Sequence, residues 1–310
     1  MPRQRSILAD YVLYLALRLV AMFVNMFSVE AIYHFAGKLA DLWYRLDKRH
    51  RNRAIDHLRE SFPDWDASLL DKTAQESFRS MVFLAIDVLL TRKLITYWRW
   101  RRYVALPQSP DILRLLTERA KGAVLVLGHL GGWEVAGYAM AALGFDGYAV
   151  ARALDNPYLN DYLLGARQNT GLTILDKRGA MRETDRIFAG GHYIGLVADQ
   201  DAGKSGVFVD FFGRQASSYK APALVAMQYD VPLIIAYGRR VGRTFRFELG
   251  FEEAIYPDQW ADKPDPLRWI TQQYTWALER AIRRWPGQYL WTYRRWKTRP
   301  RSESAEQGAA

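Results

Sequence analysis

The sequence predicts an α/β protein with a largely parallel mixed sheet flanked by helices, preceded by N-terminal membrane-associated helices. Three observations carry this. From Ala123 onward, short apolar runs (AVLVLG, GYAVA, LTIL, YIGLVA, PLIIAYG) alternate with amphipathic stretches over 156–170, 179–190 and 217–229. Up to about residue 120 the apolar residues recur at helical spacing, as in ASLLDKTAQESFRSMVFLAIDVLL. Before that, Tyr11 to Val29 is a 19-residue apolar segment with a single charge, Arg18.

In chain order, the first segment approaches the ~20 residues that cross a bilayer. No small-residue cleavage site follows it, so it reads as a retained anchor. Tyr11, Tyr14, Arg18 and Asn25 share one helical face, which also suits a helix lying in the interface or packed on protein. If it spans, Lys38, Arg45, Lys48 and Arg49 outnumber Arg3 and Arg5, which places the body on the cytoplasmic side. SPDILRLLTERA opens with a good helix start, TFRFELGF alternates with period two as an antiparallel edge strand, and a last helix runs over 266–285 to Pro286-Gly287. The chain thus divides into an anchor helix (1–30), a helical region (31–120), an α/β domain (121–300) and a polar tail (301–310) expected to be disordered.

Half of the 310 residues are apolar and 14% aromatic, which excludes a disordered chain. Cysteine is absent, which excludes disulfides, thiolate metal sites and a cysteine nucleophile. The net charge of +10 suits an acidic partner, and two basic clusters stand out: Arg45 to Arg53, and the acid-free tail from Arg280 to Arg301. In the tail, YLWTYRRWKTRP interleaves rings and cations. That suits a membrane–water interface or a single-stranded nucleic acid.

The stretch VLVLGHLGGWEVAGYA places His129 at a strand exit and Glu134 in the first turn of the next helix. Ligands of open α/β sheets bind outside strand C-termini, and glycines there let a substrate approach the backbone. A neutral imidazole accepts a hydroxyl proton as general base, and Glu134 is expected to bond the other ring nitrogen. A histidine merely capping the turn fits the same spacing. With no serine elbow and no cysteine, the nucleophile is a substrate hydroxyl. Asp199 and Asp201 have no clustered ligands beside them, so no metal is expected, and His34, His50, His57 and His192 show no metal spacing. ADQDAGKS departs from a phosphate loop at Ala198, and GHLG alone is a frequent pattern.

Five blocks occur in order: HLGGWE, ARALDNPYLNDYL, ADQDAGKSGVFVDFFGR, APALVAMQYDVPLI and QYLWTYRRWK. With them the chain resembles the bacterial lipid A late acyltransferases, within the lysophospholipid/glycerolipid acyltransferase superfamily, over nearly its whole length. The resemblance implies an inner-membrane enzyme, its catalytic domain on the cytoplasmic face, that moves an acyl chain from acyl-acyl carrier protein to a hydroxyl of a lipid A precursor. It implies no cofactor and no nucleic-acid partner; an anionic membrane surface is the third partner. His129 and Glu134 match the catalytic pair. Arg152 matches an arginine that supports the substrate or oxyanion, Asp199 and Gln200 match a loop at the site, and Gly206, Phe211, Phe212 and Gly213 match a block that completes the pocket. Ser217, Ser218 and Lys220 stand where a threonine-containing stretch is expected. Glu in place of Asp in the pair also occurs in mycobacterial phosphatidylinositol mannoside acyltransferases. Two readings remain beside acyl transfer: a basic membrane or nucleic-acid binder without catalysis, and a thioesterase in which His129 activates water.

Overall fold

The computed structural model describes residues 6–106, 112, 114, 116, 122–145, 147–151, 153–168, 172–176 and 180–300. Arg152, most of the 109–120 segment and the 301–310 tail lie outside the described residues. Four helices come first: α1 (Ile7–Met26), α2 (Val29–Leu46), α3 (Lys48–Ser61) and α4 (Ala67–Leu94). Each starts where a side chain caps it. Ser6, Ser28, Asp47 and Asp66 accept from the backbone N–H three residues on, which satisfies a donor with no partner inside the helix.

Beyond β1 (Val104–Ala105), the strand–helix alternation is β2 (Ala123–Leu127), α5 (Trp133–Ala142), β3 (Gly147–Ala151), α6 (Pro157–Gln168), β4 (Leu172–Asp176), α7 (Ala180–Ala189) and β5 (Tyr193–Val197). A hairpin, β6 (Val207–Phe211) and β7 (Arg214–Ser218), leads to α8 (Ala221–Tyr229), β8 (Leu233–Arg240), β9 (Phe247–Ile255) and α9 (Pro266–Arg284). The main sheet has the order β1-β9-β8-β2-β5-β3-β4 and is parallel except where β9 meets β8.

Two expectations shift. β9 is antiparallel as predicted, but β1 pairs outside it, so β9 is not the edge. The helix predicted from residue 217 starts at Ala221, because Ser217 and Ser218 pair with Phe208 and Val207 in the hairpin. Phe212 and Gly213 form its two-residue turn with φ of 55° and 71°, the left-handed values that fit the twist of paired strands.

One face of the sheet packs under α2, α4 and α5 through residues such as Tyr33, Phe83, Leu90, Leu125, Tyr138 and Phe247. The other packs under α7, α8 and α9 through Val124, Val126, Ile187, Ala226, Leu233 and Tyr274. The basic aromatic tail turns most of its rings inward and leaves Arg294 and Lys297 exposed. Tyr289, Trp291, Arg295 and Trp296 are buried against the hairpin and α3–α4. The Arg295 guanidinium bonds the Ser217 carbonyl at 2.6 Å and the Ser218 hydroxyl at 2.5 Å. The preceding cations Arg280, Arg283 and Arg284 pair with Glu252, Glu253 and Glu279. Alternating rings and cations pack here as a seam, the rings filling space and Arg295 bonding inward.

Candidate active site

β2 and β5 are adjacent and parallel, with Leu127 opposite Val197. Two residues beyond that pair, one chain carries His129 and the other Asp199. Adjacent strands leaving the sheet in register therefore bring together side chains 70 residues apart in sequence. The His129 Nδ1–H donates to Asp199 Oδ1 at 2.7 Å, and the His129 backbone N–H donates to Oδ2 at 2.9 Å. Both oxygens of one carboxylate thus fix the ring and its backbone.

The ring partner expected from sequence was Glu134; in the structure Asp199 occupies Nδ1. Glu134 sits in the first turn of α5, lines the adjoining cavity and acts on the imidazole through its charge. The amide nitrogen of Gln200 lies 3.4 Å from the other ring nitrogen, Nε2. Asp199 and Gln200 thus stand at His129 itself.

The turn between β2 and α5 is pinned to β8 and to the tail. Gly131 N–H donates to the Gln288 carbonyl at 3.0 Å, and Gly132 N–H to the Gly238 carbonyl at 2.6 Å. The Gln288 amide brackets the Arg240 backbone, at 2.8 Å to its N–H and 2.9 Å to its carbonyl. Gly131 has φ +58°, and a Cβ there would come within 2.5 Å of the Gly238 carbonyl. A Cβ on Gly132 would overlap the Phe247 ring at 2.4 Å. These glycines are needed for close backbone packing as much as for substrate access.

Burial disfavours the imidazolium, but the charge and hydrogen bond of Asp199, with the charge of Glu134, outweigh it and raise the His129 pKa above 6.5. Asp199 is buried; the facing His129 and the charge of Arg295 keep it ionised below the usual carboxylate range. A base that must be neutral and has a raised pKa gives an acid limb of activity above pH 6.5. Asp199→Asn removes the main attraction and leaves burial dominant. It is expected to move that limb to lower pH and to cut kcat by about 10³-fold. A pH profile of turnover measures both.

Beside Glu134 a cavity of about 230 Å³ runs between α5 and the sheet. Its walls are almost wholly apolar, among them Leu125, Trp133, Met140, Ile174, Tyr193 and Phe251. The His129 ring meets the cavity-lining Trp133 edge-on at 5.1 Å. Gly206, Phe211, Phe212 and Gly213 lie elsewhere, in and beside the hairpin. Phe211 and Phe212 pack with Tyr289, Trp291 and Trp296, and none of the four lines this cavity. Tyr289, which sequence reasoning passed over, has its phenol pushed up by burial and by the charge of Asp199, and its backbone bridges Leu130 in the histidine turn.

A histidine oriented by a buried carboxylate at the strand ends thus stands next to an apolar cavity. The chain belongs to the bacterial lipid A biosynthesis acyltransferase family, which it matches over residues 3–298. It is 23% identical to the lipid A biosynthesis lauroyltransferase of Escherichia coli over 279 residues, 87% of this chain and 86% of that one. With the palmitoleoyltransferase of the same organism the identity is 24%, covering 83% and 82%. The phosphatidylinositol mannoside acyltransferase of Mycobacterium tuberculosis is 27% identical over 53% of this chain. The match spans 58% of that relative, and 53% of its Mycolicibacterium smegmatis counterpart.

Proposed function

We propose that the chain transfers a fatty acyl group from acyl-acyl carrier protein to a hydroxyl of a lipid A precursor, with His129 as general base. The observation that carries this is the Asp199-held imidazole beside an apolar cavity. In the step, Nε2 takes the proton of the acceptor hydroxyl while its oxygen attacks the thioester carbonyl. The tetrahedral intermediate collapses, the C–S bond breaks, and the thiolate recovers the proton from the imidazolium. Asp199 fixes the tautomer that leaves Nε2 free to accept, and stabilises the imidazolium formed. Glu134 adds negative charge at the same ring. Gln200 beside Nε2 positions the acceptor, and Arg152 supports the substrate or oxyanion, as the family resemblance implies. The +10 charge suits two acidic partners, the carrier protein and a phosphorylated glycolipid. The proposed location is the inner membrane, with the catalytic domain on the cytoplasmic face.

The mycobacterial relatives favour a second acceptor class, an inositol mannoside glycolipid, served by the same chemistry. Mass spectrometry of lipids from cells with and without the gene separates the two. Loss of one acyl chain from lipid A supports the first reading; an unchanged lipid A overturns it.

The cavity is proposed to hold the acyl chain. Gly195 lines it from the middle of β5, and a Cβ there would make an ordinary 3.6 Å contact with the Tyr148 carbonyl. Gly195→Val therefore fits the backbone and fills cavity space. It is expected to shift the preferred donor to shorter chains, the longest losing about tenfold. Competition between donors of different length measures the shift.

A further inference from the structure

The helix long and apolar enough to cross a membrane among the described residues, α1, has a mean hydropathy of 2.0 over its best window. Its buried and half-buried residues among those described form a narrow seam, Asp10, Tyr14, Leu17, Ala21 and Val24, spaced four and three apart. That seam is fastened at both ends. Near its start, the Asn156 amide donates to the Asp10 carbonyl at 2.9 Å, and Tyr11 and Tyr14 pack on Tyr158 and Tyr162 of α6. Near its finish, Lys93 at the end of α4 reaches the Asn25 carbonyl at 3.5 Å, and Val24 joins the Leu90–Leu94 core. Both ends are therefore flanked by charged surface, Asp155 and Asp161 at one and Arg92 and Lys93 at the other, all exposed. A crossing orientation would carry one of those groups through the bilayer.

Two further apolar features lie on the same helical layer. α2 buries Ile32, Tyr33, Ala36 and Ala40 and turns outward a stripe of Phe35, Leu39, Leu42 and Leu46, again four and three apart. After α4, Trp98 is 87% exposed and Tyr97 70%, the extreme of ring exposure among the described residues. Exposed cations flank both: Lys38 and Arg45 on α2 with Lys48 and Arg49 at the start of α3, and Arg92, Arg99, Arg101 and Arg102 around the aromatic corner. Apolar stripes edged by rings and cations match the layers of a leaflet, acyl region inside and anionic headgroups outside. The acyl cavity lies against the same face of the sheet.

We propose that α1 lies in the plane of one anionic phospholipid leaflet, and that the α2 stripe and the Tyr97–Trp98 corner are further contacts of the same monotopic docking surface. This rests on the membrane association of the acyltransferase reading and specifies its geometry. Because the chain has no cysteine, single replacements report single positions. The full chain, carrying a fluorophore at Leu8→Cys, Leu15→Cys, Phe23→Cys, Leu42→Cys, Trp98→Cys or Arg268→Cys, is bound to vesicles of phosphatidylethanolamine and phosphatidylglycerol. Quenching by lipids spin-labelled at shallow and deep positions then reads depth. The three α1 sites are expected at one common depth in the outer leaflet, Leu42 and Trp98 shallow but quenched, and Arg268 unquenched. A spread across both leaflets, or Leu42 and Trp98 in water, overturns the proposal. So does a blue shift at Leu42 without vesicles that grows with protein concentration, since a second copy then covers the stripe. Leu42→Ser with Trp98→Ser is expected to weaken vesicle binding about tenfold. His129→Ala is expected to leave binding unchanged, so a failure of the catalytic reading does not mimic a failure of this one.

Discussion

His129→Ala is expected to lower acyl transfer by about 10⁴-fold, the upper range for loss of a general base, while the protein stays folded. The turn around it is held by backbone bonds of Gly131 and Gly132 that do not involve the imidazole. Asp199 keeps the backbone N–H of residue 129 at 2.9 Å and the favourable charge of Arg295, so its buried carboxylate is not stranded. Loss of one hydrogen bond to a charged group costs about 1.5–3 kcal/mol, within the margin of a large domain. Circular dichroism and denaturant unfolding of the purified variant check the fold alongside turnover. Asp199→Asn retains the imidazole and so is expected to retain more activity than His129→Ala.

The largest stability effect is expected at a buried ion pair between the helical layer and the sheet. Asp87 of α4 and Arg240 of β8 form a wholly buried ion pair, with Arg240 Nη1 at 2.9 Å from Oδ1 and a second contact from Nη2 to Oδ2. Tyr33 of α2 donates to the same carboxylate, and the guanidinium lies against the rings of Phe83 and Phe247. The cluster thus joins the helical layer to the sheet. Asp87→Ala leaves Arg240 charged and without its carboxylate in an apolar setting, and is expected to cost about 3–5 kcal/mol. Asp87→Leu combined with Arg240→Met removes both charges and is expected to recover most of it. Denaturant unfolding of the single and double variants measures the difference. Since Gln288 joins the Arg240 backbone to Gly131, the single variant is also expected to loosen the histidine turn.

The sheet was legible because each run, such as AVLVL or YIGLV, is apolar, short and bounded by turn residues. The same grammar put His129 at a strand end. It did not say which strands are neighbours, and that order decides the partner of Nδ1. Glu134, near in sequence, was the natural choice. Asp199, 70 residues on, becomes the partner because β5 inserts between β2 and β3. A signal existed: VLVLGH and IGLVAD are strands that each end two residues before an ionisable group. The tail misled for a related reason. A basic aromatic stretch reads alike on a membrane and in a seam, and only the hairpin packed against Trp291, Arg295 and Trp296 distinguishes them.

His129 is proposed to promote transfer of an acyl group from a thioester to a lipid hydroxyl. The most direct test is the fate of that group in a single turnover of purified protein with acyl-acyl carrier protein and lipid A precursor, followed by mass spectrometry and thiol titration. One new ester on the lipid is expected for each thiol released by the wild type, and neither product above background for His129→Ala. Free fatty acid without lipid ester, or near-wild-type ester formation by His129→Ala, would contradict it.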